Sequence, residues 1–389
     1  MQEQQRILWA VSSVGKGHIM RDMAIVKQLR RLADVQVDWL VPDPGRDFME
    51  ARGYRVLEPS ADLLGSGRVY GQVLADCVDE FNLIRYVLAD TQLHKHDFLV
   101  SARAWEHTSY HGIVGDEAFW LLTGFAAHWA AKPAPFIFLT DFIGTKAMRP
   151  RLRDRWVAWY KNFQFTMSHR GTDRYLYIGS VEEIPDERLG VGLPSRSAWA
   201  ERHCEFVRPI ADIDRAVSPD RPSLRQHLGL PQEDYVFLAT VGPQGDFRRR
   251  MAVIEAVFEI LRSEFEAHFI LLCPEPGEHP WIQYARYLEG LPRYFAAADF
   301  VITESGYGKI VELSAVGTPF VAYPLPYHFE QEYVMRHRLD TYGTGQLVTL
   351  RDHTPQEIAA QVRRGLGTQA APIDVDKGEE VARIILETL

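Results

Sequence analysis

Apolar residues along this chain gather into short runs, and between the runs they recur every three or four positions. In the first half the runs 7–11, 35–41, 113–116, 135–139 and 175–178 carry β-branched and aromatic residues and read as strands covered on both faces. The second half repeats the pattern at 235–241, 268–272, 300–303, 320–323 and 346–350. The spacing of Ile19, Met23, Val26 and Leu29 after the first run predicts a helix. Strand and helix patterns alternate throughout, which predicts the α/β class with parallel sheets. A stretch dense in proline and charge at 208–231, with its own short helical piece, separates the halves. The expected layout is a domain over 1–207, a linker over 208–233 and a second domain over 234–389, whose last helix can pack back on the first. Each half opens with a strand and a glycine loop, SSVGKGH at 12–18 and TVGPQGD at 240–246. Two Rossmann-like domains facing each other across a cleft are the natural reading.

The stretch 298–331 is the richest in chemistry. A strand leads into the turn Ser305-Gly306-Tyr307-Gly308, and a helix then runs to Gly317-Thr318-Pro319, where the next strand begins. A glycine turn at a helix start offers free N–H groups and the positive end of the helix dipole, which suits phosphate. Lys309 stands in the first turn, and Glu312 comes next, where a carboxylate can take two ribose hydroxyls. Glu330-Gln331 lies beyond the second strand of the stretch, on the edge where open α/β sheets bind ligands. Gly242, Gln244 and Gly245 form the other glycine loop, and Arg248 of the adjacent arginine triplet is placed to reach a diphosphate. Phosphate, ribose and polyol readers together point to a nucleotide sugar as ligand.

In the first half, Gly15, Lys16, Gly17 and His18 come after the first strand and open a helix. An imidazole there can take a proton from a hydroxyl, or it can merely bond nearby backbone. Asp116 ends a neighbouring run, where it can orient the His18 ring, cap a helix, or do both. Glu117 and Asp141 are nearby alternatives. The basic, aromatic segment 146–161 fits an anionic membrane surface or a phosphorylated acceptor. The favoured reading is a solvated helix with Trp156 and Trp159 packed inward. Residues 61–110 and 146–170 are expected to shape the acceptor pocket, with Trp105, Trp120 and Trp129 available to stack on a ring. The acidic pairs Asp212/Asp214 and Asp374/Asp376 read as loop charges, so neither a metal nor a cofactor is expected.

A formal net charge of -9 argues against nucleic acid as the partner. Cys77, Cys204 and Cys273 lack metal-ligand spacing and are expected to stay reduced, in a cytoplasmic protein. Neither a signal peptide nor a membrane span is expected, although 146–161 leaves room for peripheral contact at the inner face of a membrane.

GKGHIMR resembles the GxGHxxR or GxGHxxP turn of nucleotide-sugar-dependent glycosyltransferases of the GT-B fold. The run ESGYGKIVELSAVGTP resembles the donor-site segment of the bacterial lipid II-forming N-acetylglucosaminyltransferases, VGPQGD is similar to their GGSQGA loop, and FEQ matches an Asp-Gln pair of UDP-glycosyltransferases. The resemblance implies a UDP-sugar donor, an acceptor hydroxyl on a small or lipid-linked molecule, His18 as general base and Asp116 as its partner. It also implies an inverting displacement without an essential metal. Two other activities share the fold expectation, a nucleotide-sugar 2-epimerase and a non-enzymatic nucleotide-sugar reader. Glu304 departs from the pattern, because relatives carry a cationic or imidazole group there. Pairing with Lys309, Lys16 or Arg248 would keep its charge from repelling phosphate.

Overall fold

The structure is a computed structural model that describes residues 4–12, 14, 16–76, 82–213 and 220–389. Gly15, Cys77 and Asp214 lie outside the described residues. Two compact units form, one from residues up to Val73 with Asn82–Asp212 and Asp376–Leu389, the other centred on Ile213–Val375.

The first unit holds a parallel sheet of β1 Gln5–Val11, β2 Val35–Leu40, β3 Gly112–Asp116, β4 Phe136–Thr140, β5 Arg174–Ile178 and β6 Glu205–Val207. Its order is β2-β1-β3-β4-β5-β6. The second unit repeats the plan with β7 Tyr235–Thr240, β8 Ala267–Leu272, β9 Ile282–Ala285, β10 Phe300–Glu304, β11 Phe320–Tyr323 and β12 Gln346–Leu347. Here the order is β12-β11-β10-β7-β8-β9, again parallel.

Helices between the strands cover both faces, so residues 7–11 and 136–139 are wholly buried and their sequence is continuously apolar. The edge strands β6 and β9 have no counterpart among the runs expected from the sequence. β6 has three residues, and β9 alternates a buried Ile282 with an exposed Gln283, too short a signal to stand out. The expected strand 346–350 shrinks to β12, although Val348 still donates to the Ala322 carbonyl at 2.8 Å.

The helix Glu379–Thr388 packs on the helix Gly17–Leu32, burying Val381, Ala382 and Ile385. Gly378, at φ +91°, makes this possible, because a Cβ there would stand 2.7 Å from the Ile25 Cα. Asp376 bridges to Ile210 and pairs with Arg208 at 3.3 Å, while Asp212 pairs with Lys27 at 2.8 Å. Cys204 and Cys273 are free thiols. Among the described residues no helix is long and apolar enough to cross a membrane.

Candidate active site

In the first unit the register of β1 on β3 sets Val11 beside Asp116, and the Ser12 N–H donates to the Asp116 carbonyl at 2.9 Å. The chain leaves β1 and re-enters a helix at Gly17, so His18 sits in the first helical turn over the end of β3. Its Nδ1 lies 3.3 Å from Asp116 Oδ1, and its Nε2 lies 3.5 Å from Glu117 Oε2. One turn further, Arg21 donates through Nε to Asp116 Oδ2 at 3.0 Å and through Nη1 to Asp141 Oδ2 at 2.7 Å. Its Nη2 also approaches His18 Nδ1 at 3.0 Å. The structure therefore brings His18, Asp116, Glu117 and Asp141 together around a cation to which the sequence motifs assign no role. A signal exists nonetheless, since Arg21 lies three positions beyond His18 and shares its helix face.

Burial opposes charge on His18, but the carboxylates of Glu117 and Asp116 outweigh it and raise its pKa to about 9, with Arg21 pulling the other way. Burial likewise opposes charge on Asp116, yet Arg21 and His18 hold its carboxyl well below the usual range. Asp22 is fully buried one residue beyond Arg21, and burial together with Asp116 pushes its carboxyl well above the usual range. Glu117 adopts φ 49°, a region that side-chain-bearing residues avoid and that concentrates at functional sites. His18, Asp116 and Glu117 also offer three ligand atoms within 4.8 Å of one another. Arg21 already neutralises Asp116 inside that cluster, so the donor set suits a proton better than a divalent cation.

Arg21 is about 5% exposed and compensates two buried carboxylates. Replacing it with Met should lower stability by about 3–5 kcal/mol, because Asp116 and Asp141 would lose the cation that compensates their burial. Urea unfolding measures this, and a loss below about 1 kcal/mol would contradict the pairing.

In the second unit β7 and β10 are neighbours, and the Thr240 and Thr303 hydroxyls bond at 2.7 Å near their carboxyl ends. Beyond β10, Ser305 is buried and donates from Oγ to the Gln331 carbonyl at 2.8 Å, and Gly306 caps the helix Tyr307–Val316. Lys309 reaches back to Thr240 Oγ1 at 3.1 Å and Glu304 Oε2 at 3.5 Å. On the next turn the Glu312 carboxylate accepts no hydrogen bond from any described residue. Burial raises its pKa to about 7 against the pull of Lys309.

Gly242, Gln244 and Gly245 form the loop after β7, with Gly245 at φ 60°. The arginine that serves this loop is Arg250, which donates to the Gly242 and Gln244 carbonyls and faces Glu304 at 3.5 Å. Arg248 stands outside, 73% exposed and paired with Glu275. The helix beginning at Phe247 turns the third arginine, not the first, back toward the loop.

Past β11, residues Phe329–Val334 form a π-helical turn, a distortion common at functional sites. It carries Glu330 and Gln331. The Gln331 Oε1 accepts from the Leu325 N–H at 2.9 Å, which fixes the amide and leaves its NH2 to donate. His328 is buried, its pKa lowered to about 3 by that burial, and its Nδ1 accepts from the Gln331 N–H. Tyr307 is buried under the Arg338 guanidinium, 4.5 Å from its ring centre.

Elsewhere, Gly17 is exposed and Lys16 lies 5.0 Å from the Phe48 ring. Trp120 is core, with its indole N–H on Ser101, and Trp105 and Trp129 pack against Phe98. On the helix Leu152–Ser168, Trp159 turns inward and donates to the Val191 carbonyl. Trp156 does not turn inward. It is 65% exposed and stacks on Tyr160, because the helix presents Ala158 and Asn162 to the core instead.

The comparisons with known proteins bear on both units. Residues 257–385 match the family described as Glycosyltransferase family 28 C-terminal domain. A UDP-N-acetylglucosamine--N-acetylmuramyl-(pentapeptide) pyrophosphoryl-undecaprenol N-acetylglucosamine transferase of Mycobacterium avium is 31% identical over 180 residues, 44% of this chain and 41% of that enzyme. A glycosyltransferase of Methanopyrus kandleri without an assigned activity is 27% identical over 188 residues, 47% of this chain and 54% of the relative. The chain thus spans about half the length of the curated relatives it matches. In solved structures, the glycotransferase of kitacinnamycin aligns over 100% of both chains with a TM-score of 0.67 at 15% identity. Acinetobacter baumannii MurG aligns over 98% of this chain and 99% of its own, with a TM-score of 0.57 at 13% identity. The fold is GT-B, and the chain resembles MurG and the UDP-glycosyltransferases.

Proposed function

We propose that this protein is a glycosyltransferase that moves a sugar from a nucleoside-diphosphate donor, most simply a UDP-sugar, to an acceptor hydroxyl. The observation that carries the reading is Glu312. It is a half-buried carboxylate without a hydrogen-bond donor among the described residues, one turn into a helix that opens at the Ser305-Gly306 turn, inside the family 28 segment. Such a group is costly to leave unpaired and suits the two hydroxyls of a ribose. The Ser305 and Gly306 N–H groups already donate to the Tyr323 and Glu304 carbonyls. The first turn of the helix Tyr307–Val316, with Gln244-Gly245 and Lys309, therefore suits the diphosphate, and Glu330 with Gln331 suits sugar hydroxyls.

The first unit would supply the base. Asp116 and Arg21 hold the Nδ1 side of His18, so Nε2 is the nitrogen left to meet an acceptor. Glu117 faces Nε2 and helps keep the imidazolium protonated. An acceptor that parts Glu117 from Nε2 removes the charge that contributes most to that protonation. His18 can then lose its proton and accept one from the attacking hydroxyl. The attack on the anomeric carbon would come opposite the leaving diphosphate and invert it, with no metal or cofactor in the step. NMR of the protein with UDP-sugars and hydroxylated acceptors tests this. Release of UDP with a new glycosidic linkage is expected. Conversion of the donor sugar to its epimer, without UDP release, would make the protein an epimerase instead. Donor binding without any turnover would make it a reader.

A lipid-linked acceptor fits the surface of the helix Leu152–Ser168. Leu152, Trp156, Tyr160, Phe163 and Met167 are exposed along one face, with Arg149, Arg151, Arg153 and Arg155 close in sequence. Apolar and aromatic groups beside clustered cations suit an anionic bilayer surface and a place at the cytoplasmic face of a membrane. Sedimentation with vesicles containing phosphatidylglycerol should pull the protein down. Trp156→Glu with Phe163→Glu should weaken binding about tenfold or more, and equal binding by both proteins would refute the contact.

A further inference from the structure

Glu304 sets a carboxylate at the end of β10, against the turn that suits the diphosphate. Its side chain is about 11% exposed and buried between two cations, with Oε2 3.5 Å from Lys309 Nζ and Oε1 3.5 Å from Arg250 Nε. Oε1 accepts no hydrogen bond. Both pairs are longer than the 2.7 Å bond of Arg21 to Asp141, so Glu304 is charge-compensated without being tightly held. Space is nonetheless reserved for it, since a Cβ at Gly242 would collide with Glu304 Oε2. The glycine of the loop after β7 therefore admits this acid as much as it admits a ligand.

The two cations differ in what else they do. Arg250 is anchored on the Gly242 and Gln244 carbonyls and shapes the loop. Lys309 sits in the first turn of the helix Tyr307–Val316, its other hydrogen bond goes to the neutral Thr240 hydroxyl, and it also faces the Glu312 charge. It is the less anchored cation, and the one that an arriving phosphate can recruit.

We propose that Glu304 is a resident competitor for the phosphate site. It holds Lys309, and a donor diphosphate must take Lys309 from it. The inference rests on the second unit being the donor site, and it assigns Glu304 the role of lowering affinity for phosphate charge. Nucleotide product then leaves more readily than the two cations alone would allow.

Calorimetric titration of wild type and Glu304→Gln with UDP, TDP, GDP and ADP tests it, together with the monophosphate and nucleoside of the tightest binder. Glu304→Gln keeps the size of the side chain and removes its charge. The variant should bind the diphosphate about tenfold more tightly, gain less for the monophosphate and gain nothing for the nucleoside. Lys309→Met should lose diphosphate affinity, and the gain from Glu304→Gln should shrink in the double variant. A gain equal for nucleoside and diphosphate would mean a structural effect and overturn the proposal. So would unchanged or weaker diphosphate binding, while leaving the donor reading intact. Failure of every diphosphate to bind either protein would overturn both.

Discussion

His18→Ala is expected to cut transfer by about a hundredfold to ten-thousandfold, the usual range for a positioned base, while nucleoside-diphosphate binding holds. Binding should hold because the ribose and phosphate groups of the reading lie in the second unit, far along the chain from His18. The site also sets the sign of the pH dependence. A base must be deprotonated to act, and Glu117 and Asp116 keep His18 protonated up to about pH 9 in the unliganded protein. With such a pKa only about 1% of the imidazole is neutral at pH 7. kcat/KM, which reports the free enzyme, should therefore climb between pH 7 and 9 and level off above it. His18→Ala should lose that limb. Glu117→Gln should move it to lower pH, because one of the charges holding the proton is gone. A wild-type profile that is flat from pH 6 to 9, or a variant that loses binding and turnover equally, would remove His18 from the role of base.

Glu312→Ala should weaken donor binding by about 1.5–3 kcal/mol per lost charge-assisted hydrogen bond, which amounts to tenfold or more. The helix should survive the change, since Glu312 accepts no hydrogen bond from any described residue. Burial raises the Glu312 pKa to about 7, so the carboxylate is half protonated near neutrality. The ionised form accepts from the two ribose hydroxyls through both oxygens, whereas protonation turns one oxygen into a donor and removes the charge. Donor affinity should thus fall as the pH drops from 8 to 6, and Glu312→Ala should flatten that dependence. A 2′-deoxy donor should lose much of the same energy in wild type and little more in the variant. An unchanged affinity in Glu312→Ala would place the ribose elsewhere.

Most of this site is legible in the sequence because the parallel α/β plan leaves little freedom. A run such as 300–303, short, β-branched and bounded by a glycine turn, reads as a covered strand, and the residues after it turn at the carboxyl edge. That logic is enough to place Ser305, Gly306 and Asp116 at the ends of strands, and His18 and Glu312 in the helices that follow. Side-chain direction within a turn is not legible. Choosing Arg248 from a triplet needs the phase of the helix start at Phe247, and that phase gives the loop to Arg250. The pairing of Glu304 with Lys309, five residues on, is legible, whereas Arg250 reaches Glu304 only through the pairing of β7 with β10. Hydrophobicity alone points Trp156 inward, whereas the helix buries small and polar residues and leaves its aromatic face outside. Edge strands β6 and β9 are too short to carry a period.

The most direct measurement is a thermal-shift screen of uridine, thymidine, guanosine and adenosine sugar nucleotides against wild type, His18→Ala and Glu312→Ala. A UDP-sugar is expected to raise the Tm of wild type and of His18→Ala, and to lose most of its effect on Glu312→Ala. No shift with any sugar nucleotide, or a shift that Glu312→Ala fully retains, would contradict a donor site built on this helix.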